Sequence, residues 1–522
     1  MTSAREAARN LLAGTITKYA LLAVSLGTGV FLMPFTVGHL GKSQYGLWML
    51  VASVTYYFNL LDLGYGNGVM RHVVDADARG DVAGVNRVVS TFVCVYAVIG
   101  MAASVICAAI VLLAVPRFPH LSPSEVRTAQ IVLAILGARI ALGYPMTVFG
   151  AVVNARQGFV RNNTIAIALV LLNAIATYVV LESGGGLVAL VGWTTALNAT
   201  GYLAYAWSAW TALPDLQIRL RHFSRADWRD VTAYSTYVFI IGLGSQISFN
   251  LDNLVVGAYL GTAAVAVYGI AVRLSEYQRR VCDQFSSMLF PVIVRLDAQK
   301  NHAALRTALV DGARVSMLLA AGVTTCLIGF ARPLLVHWMG EGFDGSVAPF
   351  YVLAMVGVLM VGHASQASVL MATGAHRVVA CVWIAEGVAN LALSLALVRP
   401  FGSVGVAIGT LVPMTVGHVC IFTPAACRRV GLPIRKFLMM AVVPAAISII
   451  PTAAVCVALR LLAPPVTTRG VVGEAAAAAL TFAATCLAVG LDAPTRKLYR
   501  SQLAAAWRAL TVRELADAQT QA

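Results

Sequence analysis

Charge is what this sequence of 522 residues has least of. Only 11% of its residues are Asp, Glu, Lys or Arg, less than half the roughly 25% of an ordinary soluble chain. With 59% hydrophobic residues and a mean hydropathy of +0.80, that scarcity excludes a soluble globular domain. Enzyme signatures are missing too. No Walker-type glycine loop is present to cradle phosphates, no HExxH pair to hold zinc, and no GxSxG elbow to carry a nucleophile. The nine histidines are dispersed without ligand spacing, and no two of the nine cysteines form a CxxC pair. The cysteines therefore read as small core residues, not as disulfides or metal ligands. A non-enzyme without metal or cofactor is expected, although coupling to protons or sodium stays open.

What the chain has in abundance is apolar blocks of 18 or more residues, the length that crosses a bilayer as helix. Fourteen such blocks can be marked, at roughly 11–38, 44–68, 88–115, 128–150, 163–182, 187–210, 232–258, 264–294, 313–332, 347–371, 378–398, 403–424, 437–460 and 471–491. The predicted fold class is an all-α polytopic membrane protein. The first block reads as a crossing and not as a cleavable signal, because it is long and carries Lys18.

An even number of crossings puts both termini on one side, and the distribution of positive charge says which. Of the 37 Lys and Arg, about 25 fall in segments on the side of the termini and about seven on the other. Positive residues accumulate on the cytoplasmic face, so both termini are expected there, in a cytoplasmic membrane. The net charge of +15 is thus a topological signal, and nucleic acid is not an expected partner. The loops on the opposite face are short and leave no room for an extracytoplasmic catalytic domain. In the tail, Tyr499, Leu503, Trp507 and Leu510 share a helical face beside Arg496, Arg500 and Arg508, the pattern of an interfacial helix on anionic lipid. An ordinary solvated tail fits the same residues.

The two halves resemble each other weakly but at matched places. "VGHLGKSQYG" at 37–46 recurs in outline as "VGAYLGTAAVAVYG" at 256–269, and "GFVR" at 158–161 as "GAHR" at 374–377. Asn173 and Gly192 stand nineteen residues apart, and so do Asn390 and Gly409. All these offsets lie between about 216 and 224 residues, a period that implies duplicated units. The expected organisation is a six-helix bundle over 1–210, a cytoplasmic linker at 211–231, and a second six-helix bundle over 232–424. An appended helix pair at 437–491 and a tail at 492–522 follow. Units repeated in the same orientation predict a pseudo-twofold axis along the membrane normal with a binding site between them.

One block departs from the apolar rule. "GIAVRLSEYQRRVCDQF" at 269–285 holds Arg273, Glu276, Arg279, Arg280 and Asp283. A charge at the centre of a crossing costs about 2.5–3.5 kcal/mol on insertion scales, so five facing lipid would be prohibitive. At 100° per residue they fall within an arc of about 120°, leaving the opposite face for lipid or neighbouring helices. The spacing allows Arg273 to pair with Glu276 and Arg279 with Asp283, which leaves one arginine in excess. A cationic stripe facing a water-filled cavity is the expected result; a closed salt-bridge network between helices would also satisfy it. Other polar faces occur in the first span (Lys18, Ser25, Thr28), the second (Thr55, Asn59, Asp62, Gly66) and the seventh (Ser245, Ser248, Asp252). Isolated charges occur at Arg139 in the fourth and Glu386 in the eleventh, the latter one turn before Asn390. Asp62 and Asp252 could equally be local caps, and Glu386 a buried structural group.

The stretch "LGKSQYGLWMLVASVTYYFNLLDLGYGNGVMRHV", with "LDNLVVGAYLGTAAVAVYGIAVRL", "HWMGEGFDGS", "VLMATGAHR" and "EGVANLALSLALVRPFGSVGVAIGT", resembles bacterial polysaccharide flippases of the O-antigen type. These belong to the multidrug, oligosaccharidyl-lipid and polysaccharide exporter superfamily. The resemblance runs from about residue 10 to 424. It implies alternating-access movement of a polyprenyl-diphosphate-linked oligosaccharide to the outer leaflet, for cell-surface polysaccharide synthesis. Membrane lipids, a polysaccharide polymerase and glycosyltransferases would be its partners. The residues agree in kind, because arginine suits bidentate binding of phosphate. Arg273, Arg279 and Arg280 are the expected headgroup contacts, with Lys18 and Arg139 as further donors. Glu276, Asp283, Asp62, Asp252 and Glu386 would hold those cations or carry a coupled proton. Two other classes remain open: a cation-coupled exporter of small organic molecules, and a membrane glycosyltransferase or ligase. Multidrug antiporters typically place an acid in the first helix, where this chain has Lys18.

Overall fold

A computed structural model describes residues 2–156, 158–462 and 467–490, with their side chains except at 2–12, 67, 233–250, 281, 283–288, 468 and 469. The proposed interfacial tail therefore lies outside the described residues. Within them the chain is helical from end to end. Helix α1 (Thr2–Phe58) leads through a tight 3-10 turn, Asn59–Asp62, to α2 (Tyr65–Ala78) and α3 (Val82–Ala109). Then come α4 (Pro123–Ala155), α5 (Phe159–Glu182), α6 (Leu187–Ala212), α7 (Arg225–Leu260), α8 (Thr262–Ala298) and α9 (His302–Met339). The shorter α10 (Val347–Gly362) and α11 (Ala364–Ala372) precede the long α12 (His376–Thr415). A π-helical stretch connects it to α13 (Thr423–Val430) and α14 (Ile434–Phe437), and α15 (Val443–Leu462) and α16 (Thr468–Thr485) close the described chain.

Ten of the described segments are long and apolar enough to cross a membrane. Their surfaces carry what lipid demands: Phe31, Val105, Leu112, Leu142, Leu203 and Trp207 are all more than half exposed, which no aqueous surface would tolerate in such density. The chain is a multi-pass all-α membrane protein. Two of the ten segments, Ala13–Asp62 and His376–Val430, run to 50 and 55 residues, too long for one crossing of about 20. Each is broken once by a glycine that leaves helical geometry. Gly41 has φ 73° and ψ 167°, and Gly402 has φ 58° and ψ −141°, regions that side chains with a Cβ rarely enter.

Gly261, between α7 and α8, has φ 83° and ψ 173°, nearly the conformation of Gly41. These two glycines occupy matched places in the repeated "VG…LG" segments. The two similar segments thus share a backbone feature, a single-glycine turn.

The ends of the helices follow their sequences. Ser122 and Glu125 form a reciprocal capping box at the start of α4, Asp81 caps α3, and Ser224 caps α7, each satisfying amides that have no partner within the helix. Prolines inside α1, α4, α8, α9, α12 and α15 are tolerated because neighbouring helices support the freed carbonyls.

The chain divides into two compact units. One comprises 1–273, 338–352 and 377–413; the other comprises 274–337, 353–376 and 414–522. The first is centred on Tyr65, Val69, Phe92, Tyr96, Val148 and Val152, from α2, α3 and α4. In the second, α15 and α16 pack on α9: Met317, Leu318 and Ala321 meet Ala445, and Phe330 meets Cys456 and Ala478. Arg314, 7% exposed, ties α9 further to this region through the Met440 carbonyl at 2.6 Å.

Seven of the nine cysteines are buried or half-buried, as expected of small core residues. Cys381 and Cys420 are exposed and depart from that reading; both lie on outward faces of apolar helices, where a small soft side chain suits lipid as well as protein.

Candidate functional site

Asp252 is enclosed in the interior of the first unit, with 5% exposure. Its position follows from local sequence. α7 carries it to a little over two turns before the Gly261 bend, and α8 then runs back so that Tyr268 lies alongside. The Tyr268 hydroxyl donates to Asp252 Oδ2 at 2.8 Å. Thr410 Oγ1 donates to the same oxygen at 2.8 Å, and Asn390 Nδ2 donates to Oδ1 at 3.4 Å. Ser394, one turn beyond Asn390, donates to Asn390 Oδ1 at 2.9 Å. Next in the chain, Asn253 donates to Ser53 Oγ at 2.9 Å, fastening α7 to α1.

The two arms of α12 make this convergence possible. After the Gly402 break the chain returns so closely that a Cβ on Gly409 would overlap Ser394, and one on Gly405 would overlap the Leu397 carbonyl. Only glycine permits that approach, and it brings Thr410 level with Asn390.

The electrostatic consequence is direct. The three groups that donate to Asp252 are all neutral, and no Lys or Arg pairs with it among the described residues. A buried carboxylate without a counter-charge is expensive. Around it stand the Asn390 amide oxygen, the Ser394 and Thr410 hydroxyls and the Val406 carbonyl, which Thr410 also approaches at 3.4 Å. This all-oxygen set suits a proton or a hard monovalent cation. Among the described residues no three His, Cys, Asp or Glu side chains gather in a transition-metal arrangement.

The remaining sequence-derived candidates are distributed as follows. Asp62 is half-buried and accepts a hydrogen bond from the Tyr96 hydroxyl at 2.5 Å; its partner is a phenol and not one of the expected arginines. Lys18 is exposed on α1, and Arg139 is half-buried on α4. Glu386 is 4% exposed on α12, one turn before Asn390. Arg273 and Arg279 are half-buried on α8. Glu276 pairs with Arg280 at 3.9 Å, a partner that the spacing alone does not single out. Arg279 Nη1 lies 3.4 Å from Met360 Sδ. The side chain of Asp283 lies outside the described residues. Between the charges, Gln278 is buried and donates to Thr324 and to the Ala354 carbonyl, so the stripe has an amide seam anchoring α8 to α9 and α10.

Tyr268, Ser394 and Thr410 do not stand out in the sequence, and Asn390 does so only as a repeat marker and as a neighbour of Glu386. The signals available are weak: a tyrosine at the foot of α8, and a Ser one turn after an Asn in an apolar run.

The sequence profile of the family described as polysaccharide biosynthesis protein matches residues 14–297. A probable low-salt glycan biosynthesis flippase of Haloferax volcanii, Agl15, is 22% identical over 211 residues, 40% of this chain and 44% of that protein. An uncharacterized membrane protein of Methanocaldococcus jannaschii is 22% identical over 183 residues, 35% of this chain and 42% of its own length. The matched stretch thus spans less than half of each relative. Among solved structures, an inward-facing MATE family multidrug resistance transporter of the MOP superfamily superposes with a TM-score of 0.69 at 16% identity, covering 79% of this chain and 99% of that one. The lipid II flippase MurJ, in an inward closed conformation, gives 0.68 at 13% identity, covering 94% of this chain and all of that one. At these identities the likeness is one of fold. With more than half of its length inside the family match, this chain belongs to the polysaccharide biosynthesis protein family, on the fold that the MATE transporter and MurJ share.

Proposed function

We propose that the protein is a cation-coupled, alternating-access flippase that carries a lipid-linked oligosaccharide across the cytoplasmic membrane. In this reading fourteen crossings form two six-helix bundles and an appended pair, with both termini cytoplasmic. The observation that carries the transport reading is the Asp252 network: a carboxylate enclosed by α7, α8 and both arms of α12, with oxygen ligands and, among the described residues, no counter-charge. Protonation or cation binding there changes what those four segments can hold together. A ligand shifts a conformational equilibrium only by binding its states differently, and a site assembled from segments that must approach closely meets that condition.

The glycan substrate is supported by the family match, by the likeness to a probable glycan flippase, and by the arginines of α8. Coverage of 94% of the chain by the MurJ structure includes far more of it than the 79% spanned by the MATE structure. Arg273, Arg279 and Arg280 would engage the diphosphate, with Lys18 and Arg139 as further donors, and Glu276 would hold Arg280 in place.

A second reading, a cation-coupled exporter of small organic molecules, is favoured by the MATE likeness, whose TM-score of 0.69 matches the 0.68 of MurJ. Proteoliposomes separate the two. With an imposed sodium or proton gradient, the flippase moves a fluorescent polyprenyl-diphosphate oligosaccharide between leaflets and does not accumulate ethidium. Ethidium transport without lipid movement would establish the exporter instead. Arg279→Gln with Arg280→Gln is expected to lower lipid movement at least tenfold; wild-type flipping by a correctly inserted double variant removes these arginines from the substrate site.

A further inference from the structure

A wide-mouthed pocket of about 370 Å³ lies wholly within the first unit, lined by α1, α5 and α6. Its size is that of a small-molecule site. Five polar side chains from the three helices converge on it: Ser25, Thr28, Asn173, Thr177 and Asn198. None of its lining residues is charged. Polar side chains inside a crossing segment are costly unless they find partners, and here five from three helices line one pocket.

Their hydrogen bonds show what the pocket can offer. Thr28 donates to the Val24 carbonyl, and Thr177 to the Asn173 carbonyl at 2.8 Å. Each threonine commits its only hydrogen to its own helix and keeps oxygen lone pairs. Asn173 donates one amide hydrogen to Leu169 O at 2.7 Å, and Asn198 one to Thr194 O at 2.6 Å. Each asparagine has two amide hydrogens and a carbonyl oxygen, so each keeps one donor and its acceptor. The Ser25 hydroxyl has no partner among the described residues. The pocket wall is therefore mostly apolar, set with several acceptors and a few donors, and carries no charge. Leu32 and Leu169 supply an aliphatic wall beside these groups.

We infer that this pocket is a subsite for an uncharged sugar ring, whose hydroxyls donate to the threonine and amide oxygens and whose C–H face lies on the leucines. An anion would find no Lys or Arg in the lining, and a cation no carboxylate. A polyol supplies the surplus of O–H donors that the acceptors lack. The inference rests on the flippase reading and narrows it: the headgroup carries a neutral residue that this bundle reads, apart from the arginines proposed for the diphosphate.

The test uses the full-length protein in lipid nanodiscs and two probes, a polyprenyl diphosphate bearing one glucose and the same polyprenyl diphosphate without sugar. Binding is followed by tryptophan fluorescence. Wild type is expected to bind the glucosylated lipid at least tenfold more tightly. Asn173→Leu with Asn198→Leu should erase that preference while leaving affinity for the bare diphosphate unchanged. Thr28→Val with Thr177→Val, which keeps shape, should reduce it at least threefold, with the melting temperature as the folding control. Equal affinity of wild type for both lipids, or a preference untouched by either pair of substitutions, overturns the sugar subsite and leaves the flippase reading standing. Failure of wild type to bind either lipid overturns the flippase reading, and the subsite with it.

Discussion

Asn173 and Asn390 stand at matched places in the two halves, each followed one turn later by a hydroxyl (Thr177 and Ser394) and nineteen residues later by a glycine (Gly192 and Gly409). From that common pattern the chain has made two different sites. In the second half the asparagine is 2% exposed and turned onto a carboxylate. In the first it is half-buried beside an open, uncharged pocket. Two features separate them. Asp252 has no acidic counterpart in the first span, whose polar face carries Lys18, Ser25 and Thr28. And Gly409 is pressed against Ser394, whereas nothing lies within 4 Å of the Cβ position of Gly192. The two matched segments thus differ, an enclosed carboxylate in one and an open neutral pocket in the other, by one acid and one helix approach.

The largest effect should come from removing the carboxylate. Asp252→Asn keeps the shape, and its carbonyl can still accept from Tyr268 or Thr410. In proteoliposomes, transport should lose its dependence on the imposed cation gradient, and any residual movement should equal that without a gradient. Stability should change by no more than about 1–3 kcal/mol, because the variant sheds the cost of a buried, uncompensated charge while its amide leaves one of the three donors facing a donor. Undiminished gradient dependence would show that the two halves do not differ in the way proposed.

The glycines test the other half of the contrast. Gly409→Ala forces a methyl group into Ser394 and should destabilise the protein by about 1–3 kcal/mol, the usual range for overpacking. Gly192→Ala meets open space in the interior of α6 and should be neutral or stabilising by up to about 1 kcal/mol through helix propensity. Thermal unfolding of the two single variants, side by side, measures the asymmetry. Equal shifts would mean that the close approach is not what distinguishes the halves.

How much of this is legible in the sequence follows from the range over which each feature is encoded. The helical membrane class is written in every block, because lipid contact constrains each residue locally. The turns at Gly41 and Gly261 can be read as a repeated motif, although their conformation cannot. The Asp252 site can be read only in part. The acid stands out on a polar face of the seventh span, but its donors come from Tyr268, Asn390 and Thr410, and the last two are more than a hundred residues away. Nothing local links Thr410 to Asp252. The link needs the Gly402 break and the Gly405 and Gly409 approach, and glycines are too common in apolar runs to be singled out. Likewise, Ser25 and Thr28 are visible as a polar face, while the pocket they share with α5 and α6 depends on packing. On α8 the arc of charges follows from helical geometry. The pairing of Glu276 with Arg280 does not, because residues three and four apart are both within reach.

That pairing supplies the smallest and last test. Glu276 is an acid with a cationic partner one turn away, and both side chains are substantially exposed, at 29% and 49%. Exposed pairs of this kind contribute about 0.2–1 kcal/mol, so Glu276→Gln should lower stability by no more than that, with the loss shrinking at high salt as screening predicts. Its charge is matched by Arg280, so losing it should leave the gradient dependence of transport intact even if the rate of lipid movement changes. Asp252, whose donors are all neutral, has no such compensation among the described residues. The two substitutions remove the same charge from two acids that differ in burial and in partner. If Glu276→Gln abolished gradient dependence as Asp252→Asn should, coupling would belong to acids of the crossing helices in general. A loss confined to Asp252→Asn assigns it to the enclosed carboxylate that has no charged partner among the described residues.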